Sequence, residues 1–407
     1  MIFSEAPLRR LLPHPISRSV WRASLSWPGS LSPGRLPLFL LAALWGCEAP
    51  EPPELRIGLL ALSGDRYWES SGAPSVRGAD LAEGEINEEG GVVVRGRHHR
   101  LRVIVRTYDP RPEAASTAAR GLLNQDSVHA LVGPQLSAHA IPVAVIAESA
   151  RVPMISPMST SPLTTRNKRF VFRLAAVDEA QAEGMARFAL DSLKLERAAV
   201  LFDEADAYSR DLSKRFQRAF QEGGGRVVAA ETYTTDRTDD FSEQLARIAA
   251  TEPDALYLPN PAREDTLQLR QARELGIDAQ ILGTDTWDLR AFSEHPLAQG
   301  VIATHQWHFD LPHPEVGAFL DRFREEYGTE PRTTAAMTYD AIRILALAAE
   351  RAGSLGPMPL RDAIASIDDY RGATGLVSFQ GTQDPDRSIT LSTIRDGEIV
   401  VLKSIDP

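Results

Sequence analysis

Residues 128–165 read VHALVGPQLSAHAIPVAVIAESARVPMISPMSTSPLTT, and the fold turns on how this stretch is parsed. VHALVG is a short apolar run of strand length, SAHAIPVAVIAESA has the length of a helix opened by Ser137, and VPMIS is a second apolar strand. The second strand runs into Ser156, Ser159, Thr160, Ser161, Thr164 and Thr165, stiffened by Pro157 and Pro162. Such a run makes a polar turn and caps a following helix. At the end of a buried strand it also suits an anion.

The same alternation extends outward. Upstream, LRIGLLA is a strand, VRGADLAEGEINEEGG a helix stopped by Gly90 and Gly91, LRVIVRTYD a strand and PEAASTAARGLLNQ a helix. Downstream it restarts: MARFALDSLKL, RAAVLFD, SRDLSKRFQRAFQEGGG, RVVAAETY, FSEQLARIAA, DALYL, DTLQLRQARELG and AQILGT alternate helix and strand. Strands alternating with helices predict mostly parallel sheets with helices on both faces, and two such series predict two lobes with a ligand site between them. Helices are expected at PEVGAFLDRFREEYG and TTAAMTYDAIRILALAAERAG, then antiparallel strands at GLVSF, SITLSTIR and EIVVLKS, with Asp396-Gly397 as the last hairpin turn.

The bulk composition narrows the function. The chain has 407 residues, 43% hydrophobic and 24% charged, with a net charge of −11, which fits a folded protein of two ordinary domains. Residues 1–47 carry five Arg against Glu5 alone, so removing their net +4 leaves the rest at −15. An acidic body of this kind repels nucleic acid phosphates, and no nucleic acid partner is expected.

Cys47 is the chain's one cysteine. It ends RLPLFLLAALWGC, in which the apolar run Leu36 to Trp45 is too short to span a bilayer and fits the hydrophobic core of an export signal. Leu44-Trp45-Gly46-Cys47 resembles a bacterial lipobox, with residues 1–46 as the signal and 47–54, EAPEPPE after the Cys, as a lipidated tether. The body is therefore expected outside the cytoplasm, in the periplasm or at the cell surface, held to a membrane by lipid.

Common catalytic motifs are missing: no G-x-S-x-G, P-loop, H-E-x-x-H or paired CxxC occurs. His305 and His308 in THQWHFD would point to opposite faces of a strand, so neither they nor His98-His99 are read as metal ligands; no metal or cofactor is expected. What remains is polar residues at the carboxyl ends of predicted strands, where open α/β sheets bind ligands. These are Ser63, Asp109, Ser137, Ser159 and Thr160 in the first series, and Asp203, Asp206, Tyr208 and Asp285 in the second. Hydroxyls and helix N-termini on one side and an acid on the other describe a holder for a zwitterion. Asp109 and Asp203 equally serve as turn caps, and Tyr208 as a packed helix-start aromatic.

IGLLALSG, RGADLAEGEINEEGGV, LVGPQLS, VPMISPMSTSPLT, FRLAAVD, AAVLFDEADAYSRDLSKRF, LRQARELGIDAQILGTDTWD and MTYDAIRILALA together resemble the type I periplasmic solute-binding proteins, in their leucine/isoleucine/valine-binding branch. The resemblance implies two Rossmann-like lobes with parallel sheets joined by three crossovers, near residues 175–178, 301–305 and 370–375. The lobes are then 55–175 plus 305–370, and 178–301 plus 375–407. It implies no enzyme but a monomeric receptor that delivers an amino acid or similar small carboxylate to an ABC permease; the alternative is a regulatory or structural lipoprotein of the same fold without ligand. It implies that Ser137 and Thr160, beside Ser159, grip the ligand carboxylate, that the Met158 carbonyl and Asp285 take the ammonium, and that Tyr208 lines the cleft. Ser71 stands where the family commonly has an aromatic contact, and Pro261 or Ala262 where it has a second tyrosine; Arg66, Trp68 and Trp287 are expected to reshape the side-chain pocket.

Overall fold

The structure is a computed structural model and describes residues 52–64, 67–234, 240–260, 264–287, 289, 293–311 and 313–405. Cys47, the export segment, Arg66, Pro261 and Ala262 lie outside the described residues.

The first sheet contains β1 (Glu54–Leu62), β2 (Val92–Val94), β3 (Arg97–Tyr108), β4 (Ala130–Val132), β5 (Met154–Ser156) and β6 (Val171–Arg173), in the order β2-β3-β1-β4-β5-β6. β1 pairs in parallel with β3 and β4, and sits covered on both faces, which is why its sequence is almost continuously apolar. Period two still sorts its side chains. Leu55, Ile57 and Leu59 enter one core and Leu60 and Leu62 the opposite one. Helices α1 (Ala73–Glu88), α2 (Pro112–Asn124) and α3 (Ser137–Ala150) connect these strands. β2 and β3 form a hairpin turned by Arg95 and Gly96, both at positive φ, inside a segment expected to supply only a helix stop.

The second sheet contains β7 (Arg197–Asp203), β8 (Arg226–Tyr233), β9 (Ala255–Tyr257), β10 (Gln280–Gly283) and β11 (Ile302–His305), all parallel. Helices α4 (Asp178–Asp191), α5 (Ala207–Glu222), α6 (Ser242–Ala249) and α7 (Glu264–Glu274) flank it. α4 begins seven residues ahead of the expected Met185 start.

The chain then returns to the first body through α8 (Pro314–Tyr327), α9 (Thr333–Ala352), α10 (Pro357–Ala365) and the hairpin β12 (Tyr370–Gly372) with β13 (Gly375–Val377). α9 packs so closely on α1 that a Cβ at Gly78 would stand 2.1 Å from the Ala335 carbonyl oxygen, so only glycine permits this approach. The last hairpin, β14 (Ile389–Arg395) and β15 (Glu398–Ile405), extends the second sheet to the order β15-β14-β11-β10-β9-β7-β8. Asp396 and Gly397 turn it with positive φ, as expected.

The polypeptide thus passes between the sheets three times. The first passage follows Arg173. β11 pairs with β10 and β14, which sets the second passage after His305, and Tyr370, Val377 and Phe379 belong to the first core, which sets the third between 380 and 388. One buried side chain ties the passages together: Arg387, on the third, donates to the carbonyls of Leu174 (3.3 Å) on the first, Gln306 (3.1 Å) on the second and Thr374 (2.7 Å) in the β12–β13 turn. No described helix is long and apolar enough to cross a membrane.

Candidate functional site

The hydroxyl loop after β5 is fixed from within. Ser159 Oγ donates to Ser137 Oγ at 3.1 Å and shares a 2.7 Å hydrogen bond with Thr164 Oγ1, while the Ser161 N–H donates to Ser137 Oγ at 3.3 Å. Beneath it lies Arg173, fully buried at the end of β6. Its guanidinium donates to the Ser161 carbonyl at 2.8 Å, to Thr165 Oγ1, and to Asp384 Oδ1 at 2.6 Å. A buried cation with every direction bonded makes a rigid support. α3 starts at Ser137 without a side-chain cap, which leaves first-turn N–H groups for an anion.

Thr160 joins this loop to the acids. Its carbonyl accepts the Asp178 N–H at 3.0 Å, and Asp178 opens α4. The Thr160 hydroxyl lies beside the Asp178 carboxyl and eases its charge, yet neither Thr160 Oγ1 nor either Asp178 oxygen closes a well-formed hydrogen bond. Burial pushes the Asp178 carboxyl up to about 7, and repulsion from Asp285 adds to the effect. Asp285, just after β10, accepts from the Tyr208 hydroxyl at 2.6 Å and from Gln306 Nε2 at 2.9 Å. Its carboxyl is also raised by burial, which those two donors oppose. Gln306 accepts in turn from the Ala176 N–H at 2.8 Å. The passages thereby bring the hydroxyl loop of the first sheet and the acid of the second into one neighbourhood.

Asp285 also lines a cavity of about 400 Å³. Of the residues singled out in the sequence, Ser71, Met158, Asp285 and Trp287 line it; Ser137, Ser159, Thr160 and Tyr208 are buried and not on its wall. Trp287 takes its position because β10 ends in glycine: a Cβ at Gly283 would lie 2.8 Å from the indole. Asp206 caps α5 by accepting from the Ser209 N–H at 2.9 Å, and Asp203 accepts from the Ala205 N–H at 2.8 Å, so both act in the local turn. Asp109 is exposed beside Arg111.

The sequence reading missed several members. His305 and His308 both line the cavity, because β11 ends at His305 and the alternation that would separate them ends with it. Gln135, Trp307 and Tyr67 also line it. Asp178, at the end of FRLAAVD, offers a sequence signal of its own: an acid that follows an apolar strand and opens a helix. Among the described residues no group of three or more His, Cys, Asp or Glu is placed to hold a metal. A larger groove of about 760 Å³ lies among α1, α8 and α9, where Arg343 and Arg322 are paired with Glu85 and its neighbours.

A family model described as periplasmic binding protein matches residues 54–398. The chain is 27% identical over 288 residues to a leucine-specific-binding protein of Salmonella typhimurium, covering 70% of this chain and 75% of that one. It is 28% identical over 305 residues to an amino acid binding protein of Pseudomonas aeruginosa, covering 74% and 77%. Among solved structures, a leucine binding protein of Thermotoga maritima matches with a TM-score of 0.78 and 29% identity, over 87% of this chain and 99% of that one. A branched-chain amino acid transporter substrate binding protein of Streptococcus pneumoniae, in complex with isoleucine, matches with a TM-score of 0.79 and 26% identity, over 87% and 100%.

Proposed function

Because this chain belongs to the periplasmic binding protein family, whose members bind solutes and catalyse no reaction, we propose that it captures an amino acid or similar small carboxylate between two lobes for an ABC importer. The lobes are the bodies built on the two sheets, and the three passages are the hinge on which they close. The observation that carries this reading is the pair of buried acids, Asp178 and Asp285, beside an uncapped helix start and a hydroxyl loop. Two carboxyls that repel each other in a low-dielectric place call for a cation, and a ligand ammonium meets that need. The ligand carboxylate then falls to the α3 N-terminus, Ser137 and Thr160.

Two carboxylates around one ammonium gain from its charge at close range, whereas leaving either unpaired costs several kcal/mol. Closing the lobes removes water and strengthens each contact. The small molecules released by denaturing the purified protein test this reading, with about one equivalent of an amino acid or small carboxylate expected. The mutual bonding of Ser137 and Ser159 favours the alternative, a ligand-free regulatory lipoprotein, since hydroxyls already bonded to each other have less to offer a ligand. Release of no ligand would support that alternative.

Cys47 is proposed as the lipid attachment point of an exported chain, with the acidic proline-rich segment behind it as a tether. Cys47→Ser is expected to move the protein from the membrane fraction to the soluble fraction. Retention of that variant in the membrane fraction would refute the anchor.

A further inference from the structure

The cavity wall away from the acids combines carbon surface with polar atoms that have no partner. Trp287 and Trp307 supply carbon, because their indole N–H groups are already donated to the carbonyls of Leu258 (3.2 Å) and Ala373 (2.8 Å). Among the lining residues, Ser71 Oγ, Gln135 Oε1 and His305 Nε2 are buried without a hydrogen bond. Gln135 is 2% exposed and Ser71 8%, so water reaches neither freely.

The orientation of the Gln135 amide follows from its neighbours. Its nitrogen donates to Ser75 Oγ at 2.9 Å and to Thr338 Oγ1 at 3.2 Å. Ser75 Oγ spends its own proton on the Ser71 carbonyl at 2.8 Å, so towards Gln135 it only accepts. The amide oxygen is therefore the unpartnered end, and an oxygen of this kind accepts and never donates. Ser71 offers a hydroxyl that works in either sense. His305 is held neutral, since burial pulls its imidazole down to about 3.

An aliphatic side chain would desolvate all three atoms and bond none, which is the costly outcome for a buried polar group. At these three atoms a charged side chain would find only neutral partners. We propose that this wall selects amino acids whose side chain carries a neutral N–H or O–H donor, a carboxamide or a hydroxyl, over branched aliphatic ones. The inference rests on the receptor reading above and deepens it.

Titration calorimetry of the full exported chain with each of the twenty common amino acids tests it. A donor-bearing neutral amino acid, such as glutamine or tyrosine, is expected to bind at least tenfold more tightly than leucine or isoleucine. Gln135→Leu is expected to erase most of that preference and Ser71→Ala to reduce it severalfold, with thermal melts showing that each variant folds. The wild-type ranking stands even if Gln135→Leu does not fold. Leucine or isoleucine binding more tightly than every donor-bearing amino acid overturns this inference and leaves the receptor reading intact. An unchanged preference in both folded variants also overturns it. If no amino acid binds, the inference falls together with the amino acid receptor reading.

Discussion

Arg387→Met is expected to lower the unfolding free energy by several kcal/mol, since each buried carbonyl left without a donor costs about 1–3 kcal/mol. Arg387 is 7% exposed. It is satisfied by the carbonyls of Leu174, Gln306 and Thr374 and by Thr374 Oγ1 at 3.2 Å, and Asp340 lends attraction from nearby. Burial draws the guanidinium down to about 10, so it is still charged at neutral pH. Methionine fills the space but leaves the carbonyls of Leu174, Gln306 and Thr374 without this donor. Equilibrium urea unfolding measures the effect. A loss below about 1 kcal/mol would mean that the passages are held by their own packing and that Arg387 is incidental.

Asp178→Asn is expected to stabilise the ligand-free protein at pH 8 while weakening amino acid binding at least tenfold. The sign follows from linkage. The folded carboxyl sits near 7, above its ordinary value of 3.8, so the folded chain holds the proton more tightly than the unfolded one. Its contribution is therefore most favourable below about pH 4 and is lost as the pH rises to about 7. A shift of this size corresponds to about 2–4 kcal/mol after allowance for relaxation. Asparagine does not ionise, so the stability advantage of the variant over the wild type should grow between pH 5 and pH 8. Denaturant melts of both ligand-free proteins at the two pH values provide the check. A difference that does not change with pH would show that Asp178 stays ionised or stays protonated throughout, and would remove it from the ammonium site.

The two effects share an origin. The proposed site for a cation keeps anions where they are costly when it is empty, and the proposed hinge must be well bonded for that cost to be borne.

Much of the architecture was legible because it was written in local patterns. The mainly apolar runs at 55–61 and 197–203, the glycine stops at Gly90-Gly91 and the Asp396-Gly397 turn each fix an element by sequence alone. β2 and β6 were not legible as strands. Their assignment comes from neighbours far along the chain, as in the parallel pairing of Ile155 with Phe172. The site divides in the same way. Asp285 was found by its place after a strand, and its position on the cavity wall follows from that rule. Asp178, Gln135 and His305 acquire meaning only from what packs around them: a second acid, an amide whose nitrogen is spent, and a strand that stops. Arg173 and Arg387 look like ordinary surface residues in the sequence, and only their burial by distant segments makes them supports.

The most direct measurement is quantitative mass spectrometry of the small molecules released when the protein, purified from its own host, is denatured, with Asp285→Ala prepared in parallel. About one equivalent of an amino acid or similar small carboxylate from the wild type, and at least tenfold less from the variant, is the predicted result. Release of no such molecule from the wild type, or of equal amounts from both, would contradict the claim that these buried acids hold a ligand.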